Sequence, residues 1–172
     1  IGGYAGRYTD AAKDFSRFIK LVPGQWAGYN DLAWIFAKQG DFRSAEAAIL
    51  QAFERIPGET ERNPWLWTSL GVARLNLKEY HKAKEAFLKA KGIVETIDAP
   101  YFWSAYPGND PRGAEDAFRQ FRATLAFNLG IVFENLGELD QAERAYRDYL
   151  ALLPEGPFPK ANEILDKIRR LQ

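Results

Sequence analysis

The feature that most constrains the fold of this chain is a small residue that recurs at long intervals. Ala11 and Ala45 lie 34 positions apart, Ala45 and Ala83 lie 38 apart, and Ala83 and Ala142 lie 59 apart. Alanine removes side-chain bulk where two antiparallel helices cross, so the helix axes can approach to about 8–10 Å. The spacing therefore predicts successive helical hairpins, with extra residues inserted before the third and the fourth alanine.

The clearest copy of the pattern is a set of apolar and small residues in the middle of the chain: Trp67, Leu70, Gly71, Ala83, Phe87 and Ala90. Their order and spacing resemble the tetratricopeptide repeat, a two-helix unit of about 34 residues. The resemblance extends over nearly the whole chain. It implies an all-α fold in which helical hairpins stack into a right-handed superhelix.

On this resemblance the 172 residues form a single domain. Its expected segments are a half-repeat at 1–24, full repeats at 25–58, 64–97 and 123–156, an insertion at 98–122, and a capping helix at 157–172. The half-repeat holds only a second helix, which ends at Pro23-Gly24. The last segment places Ile164, Leu165, Ile168 and Leu171 on one helical stripe, which would shield the end of a solenoid from water.

The insertion is predicted to extend two helices and join them by an aromatic loop. No proline stops the helix that begins near Glu79, so we expect it to run to about Ile97. Residues 98–110 are expected to form the loop, and Asp110-Pro111 to begin a helix that reaches about Leu136. The loop contains four aromatic residues: Tyr101, Phe102, Trp103 and Tyr106. They either pin the loop onto the solenoid or form a second partner-binding patch, and the rarity of large exposed apolar patches favours pinning.

Composition excludes several classes of partner. Lysine plus arginine equals aspartate plus glutamate at 23 each, so no net field attracts nucleic acid, and no nucleic-acid partner is expected. No window approaches the roughly 18–20 apolar residues of a membrane span, so no membrane contact by this segment is expected. The absence of cysteine suits either redox environment. The compartment, cytoplasmic or extracytoplasmic, stays open, as does a signal or anchor upstream of Ile1.

No set of residues predicts catalysis. The single histidine, His81, has no second histidine or cysteine with which to build a metal site or a nucleophilic triad, and it is expected to be a solvated residue. The carboxylates lie on helical repeats, where they usually form the solvated face. The sequence therefore predicts a chain that is not an enzyme and has no cofactor, metal or catalytic residue.

The resemblance also implies a binding surface, because the first helices of such repeats line a concave groove. The residues assigned to that groove are Asn30, Trp34, Lys38, Trp65, Ser69, Val72, Asn76, Phe127, Asn128 and Ile131. Lys38 is the only base among them, which argues against a clamp for the terminal carboxylates of a peptide. An apolar centre edged by amides and hydroxyls suits an extended or helical peptide with apolar anchors.

Two alternatives remain at this stage. The extended helices could fold over the groove, so that Trp34 and Phe127 are simply core. The chain is expected to work as a non-catalytic adaptor that binds a protein or peptide. It could instead self-associate into a homo-oligomer through the open half-repeat or the long insertion. Arg74, at a position where the family usually has an aromatic residue, is expected to pair with a carboxylate.

Overall fold

In the computed structural model, regular structure is entirely helical over the residues the structure describes, which are 2–106, 109–154 and 161–172, without the side chains of 2–6, 111 and 161. The helices are α1 (Gly2–Leu21), α2 (Trp26–Lys38), α3 (Phe42–Arg55), α4 (Pro57–Thr60), α5 (Pro64–Asn76), α6 (Tyr80–Val94), α7 (Ala99–Ser104), α8 (Ala114–Asn135), α9 (Leu139–Leu152) and α10 (Ala161–Leu171). A 3₁₀ turn, Pro111–Gly113, precedes α8. The chain divides into two units, Ile1–Ala86 and Phe87–Gln172, and the boundary falls within α6.

Three turns of one kind join the helices α2 and α3, α5 and α6, and α8 and α9. Each contains a residue in the left-handed region: Gly40 at φ +79°, Lys78 at φ +62° and Gly137 at φ +74°. In each turn a backbone N–H donates to the carbonyl five positions earlier at 2.9 Å: Asp41 to Phe36, Glu79 to Arg74, and Glu138 to Phe133. These are the bonds of a Schellman cap, which satisfies the last carbonyls of the first helix and reverses the chain. The turn geometry therefore repeats along the sequence.

The alanines that predicted the hairpins lie where the prediction needs them. Ala45 is 2% exposed, and Ala83 and Ala142 are fully buried. In the first unit α2 packs on both α1 and α3, and α3 packs on α5. Tyr29 of α2 is fully buried, and its hydroxyl donates to the carbonyl of Pro23 at 3.0 Å. Small residues at the crossings thus leave room for one large aromatic side chain in the core.

Charged side chains link α3 to α5 and to the start of α6. Arg74 Nε donates to Glu46 at 2.9 Å, with both side chains largely buried, so the expected carboxylate partner of Arg74 is confirmed. Arg43 reaches Glu79 at 2.8 Å. Hydrogen bonds from Lys82 and then Arg43 hold the pKa of Glu79 below its usual value. This row of charges orders α3 against α5 on the side away from the apolar core.

In the second unit α8 packs closely against α9, and α10 packs on α9. Ile164 and Ile168 of α10 are buried, so this helix covers the end of the hairpin as the sequence predicts. The Glu134 carboxylate of α8 accepts hydrogen bonds from Lys167 of α10 and, at 2.7 Å, from the hydroxyl of Tyr146 of α9. One partly buried polar contact therefore joins three helices.

Two pKa shifts follow from that contact. Burial would raise the pKa of Glu134, but the hydrogen bonds from Lys167 and Tyr146 and the nearby charge of Arg170 outweigh it, so the pKa lies below its usual value. Burial, reinforced by the hydrogen bond to the Glu134 carboxylate, raises the pKa of Tyr146. The ionised carboxylate and the neutral phenol are therefore the forms that stabilise this unit.

The insertion differs from its prediction in three ways. The helix α6 ends at Val94 and not near Ile97. Gly92 weakens its last turn, and the Thr96 hydroxyl donates a hydrogen bond to the carbonyl of Ile93 at 2.8 Å. Residues 98–110 are not wholly a loop, since they contain α7. The next helix, α8, begins at Ala114 after a 3₁₀ turn and ends at Asn135, so it has 22 residues and not about 26.

The helix α7 forms because its first turn is well capped. The Asp98 carboxylate accepts from the Tyr101 N–H at 2.8 Å, and Pro100 lies in the first turn, where a missing N–H costs nothing. Its Phe102 side chain, 1% exposed, packs against Phe118 and Phe121 of α8 at ring-centroid distances of 5.1 and 4.8 Å. The aromatic segment is thus held to α8 by one of its four aromatic residues.

Candidate partner-binding face

Seven of the ten residues assigned to the groove lie in the first unit, on two neighbouring helices that pack against each other. Asn30, Trp34 and Lys38 follow one another at intervals of four along α2, and Trp65, Ser69, Val72 and Asn76 follow at intervals of four and three along α5. Residues at these intervals share one side of a helix. We call these seven residues the α2/α5 face.

Trp34 is the most prominent apolar side chain of the α2/α5 face, since 52% of it is exposed. The Lys38 ammonium lies 5.1 Å from the centroid of the indole ring, within the range of a cation–π contact. Tyr8 of α1 meets the ring edge-on at a centroid distance of 6.4 Å. The indole is therefore oriented by neighbours on two sides, and its exposed part forms an apolar surface with a positive charge beside it.

Polar side chains of the face join its two helices. The Ser69 hydroxyl of α5 donates to Asn30 Oδ1 of α2 at 2.7 Å, and Asn30 is 8% exposed. At the end of α5, Asn76 Nδ2 donates to the carbonyl of Val72 at 2.8 Å, which leaves its Oδ1 as an acceptor. Trp65, Ser69 and Val72 are each partly exposed. The face therefore has a largely buried hydrogen bond between its two helices, at Asn30 and Ser69. The Trp34 indole and the Asn76 amide of the same face are exposed.

Trp67 lies on α5 but outside this face. Its ring packs against Phe53 of α3 at 4.5 Å, and its Nε1 donates to the carbonyl of Glu61 at 3.2 Å. In the repeat pattern Trp67 is the first of the recurring apolar residues, whereas Trp65 is assigned to the groove. The two tryptophans, two residues apart, thus point to different surroundings.

The other three assigned residues, Phe127, Asn128 and Ile131, lie on α8 in the second unit and are half-buried. The Phe127 ring contacts Tyr149 at 5.3 Å and Tyr146 at 5.9 Å. Much of this ring is therefore already used inside the second unit. Trp34 differs, because more than half of it is open.

The four aromatic residues of the second predicted patch do not all behave alike: one packs against α8, and the others remain accessible. Phe102 is buried, whereas Tyr101 is 60% exposed and Trp103 and Tyr106 are half-buried. Trp103 Nε1 donates to the carbonyl of Asp110, and the Asn109 side-chain amide donates to the carbonyl of Trp103 at 3.0 Å. One residue therefore pins the segment, and the other three surround a cleft that the sequence does not reveal.

The single histidine lies on neither of these surfaces. His81 is exposed in the first turn of α6. Within the described ranges no three histidine or acidic side chains come together as a metal site would require. Nor does any helix in the described part of the chain combine the length and apolar character needed to cross a bilayer.

One neighbour of the face, Tyr8, is not among the residues that the sequence assigns to the groove. Tyr8 contributes an aromatic edge to Trp34 from a helix 26 positions earlier in the chain. Only the spacing between repeats could have suggested the pairing, because α1 occupies the place of a second repeat helix beside α2. A search for aromatic residues on the preceding helix, opposite each exposed groove position, would have found it.

Known protein structures with the same fold support the assignment independently. No curated protein matches the chain. Among solved structures, the chain is similar to the first TPR domain of human RPAP3, with a TM-score of 0.59 and 17% identity over 87% of this chain and 91% of that one. Two crystal structures of MamA give TM-scores of 0.65 and 0.64 at 14% identity, each over 98% of this chain, and over 88% and 83% of theirs. At these identities the likeness concerns the fold.

A sequence profile described as tetratricopeptide repeat matches residues 3–64, 31–96 and 102–157, which together include most of the chain. Proteins of this kind are generally non-catalytic modules that bind other proteins or peptides. The repeated turns, the buried alanines at the helix crossings and the profile matches lead to one conclusion: the chain belongs to the tetratricopeptide repeat family.

Proposed function

We propose that this chain is a non-catalytic adaptor that binds a peptide or a partner protein on the α2/α5 face. The observation that supports the proposal is the exposure of Trp34, an aromatic side chain left 52% open although two neighbours hold it in place. Tryptophan is enriched among the residues that dominate binding energy. An oriented, half-open indole loses little conformational entropy when a partner covers it.

The size of the open surface sets the expected affinity. Tryptophan buries up to about 250 Å², so covering the open half removes on the order of 100 Å² of mostly apolar surface from water. At about 25 cal/mol per Å² this contributes roughly 2–3 kcal/mol, or about thirtyfold or more in the dissociation constant. A single anchor of this size suits a modest, peptide-like affinity.

The polar residues of the face suit the backbone of a bound peptide. Asn76 offers a carbonyl acceptor, and Asn30 has an amide nitrogen that no other described residue uses. A peptide bond presents one donor and one acceptor, so one amide acceptor and one amide donor on the face match its needs. The α8 residues Phe127, Asn128 and Ile131 remain a prediction from the repeat resemblance.

The proposal is tested by selecting binders from a random peptide library on the whole chain and titrating them against variants. Trp34→Ala is expected to weaken the selected peptides at least tenfold. Leu50→Ala is the matched control, because Leu50 is also a large exposed apolar residue of the first unit, 44% open, but lies on α3. Circular dichroism on both variants would establish that the helices persist.

Peptides that bind Trp34→Ala as tightly as the parent chain would overturn the assignment of the face. Equal losses in Trp34→Ala and Leu50→Ala would also contradict it, because they would show general adhesion to apolar surface. A loss confined to Trp34→Ala, with apolar residues shared among the selected peptides, is the expected result.

Self-association is a second candidate function, and an observation at the end of α1 favours it. Phe18, Leu21 and Val22 are 39%, 72% and 45% exposed, which makes a short apolar strip. Burying such a strip against a second copy would remove it from water. Light scattering over a concentration series is expected to show a dimer that Leu21→Asp abolishes, and a strictly monomeric parent chain would refute this candidate.

A further inference from the structure

The most distinctive cavity in the second unit lies beside α7 and is separate from the α2/α5 face. It has a volume of about 690 Å³, within the range of small-molecule sites. Its walls are built chiefly from Asp98, Pro100, Tyr101, Trp103, Tyr106 and Asn109. Three of these six side chains are aromatic, and one is a carboxylate.

The walls of this cleft are fixed by contacts made outside it. Phe102, between the two wall residues Tyr101 and Trp103, packs against Phe118 of α8 and anchors α7. The indole N–H of Trp103 donates to a backbone carbonyl, and the Asn109 amide closes onto the carbonyl of Trp103 itself. The Trp103 ring therefore does not depend on a ligand for its position, which reduces the entropic cost of binding.

The remaining hydrogen-bonding capacity of the cleft is dominated by acceptors. The indole N–H, one N–H of the Asn109 amide and the Ser104 hydroxyl proton are already donated to backbone carbonyls. What remains, apart from the tyrosine hydroxyls, is the second Asn109 N–H, the Asn109 carbonyl oxygen and the oxygen of Asp98 not used in capping Tyr101. No lysine or arginine lines the cleft, and Asp98 makes no ion pair with any residue the structure describes.

We propose that this cleft binds an alkylated ammonium group. Aromatic faces attract cations through their quadrupoles, and a cage of several rings favours a quaternary ammonium, which has no N–H to satisfy and a small desolvation cost. The Asp98 carboxylate supplies the matching negative charge at the edge of the rings. An anion would meet no lysine or arginine among the described residues that line the cleft, and it would face the Asp98 carboxylate.

Choline is the probe, since it carries a trimethylammonium group and little else. Its neutral isostere, 3,3-dimethylbutan-1-ol, has the same shape without the charge. Titration of the whole chain, followed by tryptophan fluorescence and by NMR of the aromatic ring protons, is expected to show saturable binding of choline at millimolar concentration. The neutral alcohol is expected to bind about tenfold more weakly, because the cation–π and carboxylate interactions are absent.

Variants separate the two interactions without disturbing the helix. Asp98→Asn keeps an oxygen that can cap α7 and removes only the charge, and it is expected to weaken choline about threefold to tenfold. Tyr101→Phe keeps the ring face and should bind choline as the parent does, whereas Tyr101→Leu keeps apolar bulk and should lose binding. Trp34→Ala lies in the other unit and should leave the titration unchanged, so this proposal and the adaptor proposal fail independently.

A further comparison with peptides distinguishes the source of the ammonium group. A short peptide with one trimethyllysine is compared with the same peptide carrying unmodified lysine and with free choline. Tighter binding of the trimethylated peptide points to a modified protein, and tighter binding of choline points to a small molecule; both support the cage. Absence of saturable binding by either, or equal binding of the neutral alcohol, overturns the proposal, and the second outcome marks the cleft as merely apolar.

Discussion

Two hairpins of this chain, α2–α3 and α8–α9, share a turn but fill their cores differently. Both turns carry a glycine with positive φ, and both second helices present a buried alanine at the crossing, Ala45 and Ala142. In α2–α3 the residues facing the crossing are Ala33 and Ile49, both buried. The repeat therefore fixes where the backbone turns and where small residues lie, and leaves the size of the other side chains free.

In α8–α9 the equivalent positions are Gly130 and Tyr146. The tyrosine ring is fully buried, and it lies so close that a Cβ added to Gly130 would be 2.4 Å from its Cε1 atom. Tyr149 is buried beside it and contacts Phe127. The second hairpin thus buries an aromatic residue at a position where the first has Ile49, whereas the first leaves Trp34 more than half exposed. Equivalent repeat positions can serve either packing or recognition, and the partner residues decide which.

The largest expected effect tests the close approach of Gly130 and Tyr146. Gly130→Ala places a methyl group against a ring that has no space to move, so we expect the free energy of unfolding to fall by about 1–3 kcal/mol. Urea denaturation followed by circular dichroism measures it. Gly92→Ala is the control, since Gly92 lies in α6 with open space around its Cα, and there alanine should raise helix stability by about 0.5–1 kcal/mol.

A double-mutant cycle sharpens the same test. In a Tyr146→Leu background the ring is gone, so the additional cost of Gly130→Ala should fall below about 0.5 kcal/mol. If the full cost persists there, the steric contact is not its source. The two hairpins would then differ for a reason other than the exchange of a glycine and tyrosine pair for alanine and isoleucine.

A smaller effect concerns the polar contact that only the second hairpin has. Lys167→Met removes the ammonium from Glu134 and Tyr146, and the partial exposure of the pair limits the expected loss to about 1 kcal/mol. Arg169→Met is the matched control on the same helix, because Arg169 pairs only with the exposed Asp166 at 3.1 Å. Its free energy of unfolding should change by less than about 0.5 kcal/mol.

The same contact predicts a pH dependence. Because the folded pKa of Glu134 lies below its usual value of about 4.5, its stabilisation is complete above that pH and is lost as the pH falls through the lower, folded pKa. Lys167→Met removes the principal hydrogen bond that lowers this pKa, so its stability should fall less steeply in acid than that of the parent chain. An unchanged acid slope would show that Lys167 does not set the pKa of Glu134.

The sequence was sufficient for features fixed by local spacing. Helical periodicity predicts the buried alanines and the capping helix with Ile164 and Ile168. The cost of burying a lone charge predicts that Arg74 pairs with a carboxylate, although it does not identify Glu46. The sequence prediction lacked the helix α7, because Asp98 and Pro100 were assigned to a loop. An aspartate followed by a proline in the first turn is also a signal for the start of a helix.

Contacts between distant positions could not be derived in this way. The exposure of Trp34 depends on which neighbours cover it, and spacing alone does not give the fraction of the ring that Tyr8 and Lys38 leave open. The Asn30 to Ser69 hydrogen bond spans 39 positions. Repeat spacing assigned Trp34 and Phe127 to one groove, but only packing distinguishes the open indole from the ring that contacts Tyr146 and Tyr149.

The smallest effect concerns the third turn of the same kind, where Lys78 takes the place held by Gly40 and Gly137 in the two hairpins compared above. Lys78 adopts φ +62°, which costs a residue with a Cβ about 1–2 kcal/mol, whereas glycine adopts it freely. Glycine loses more freedom on folding, so the net gain of Lys78→Gly is expected to be about 0.5–1 kcal/mol by urea denaturation. Gly40→Lys should cost a similar amount. If Lys78→Gly instead lowers the free energy of unfolding, the lysine side chain contributes a contact that outweighs the strained backbone, and the three turns are not energetically equivalent.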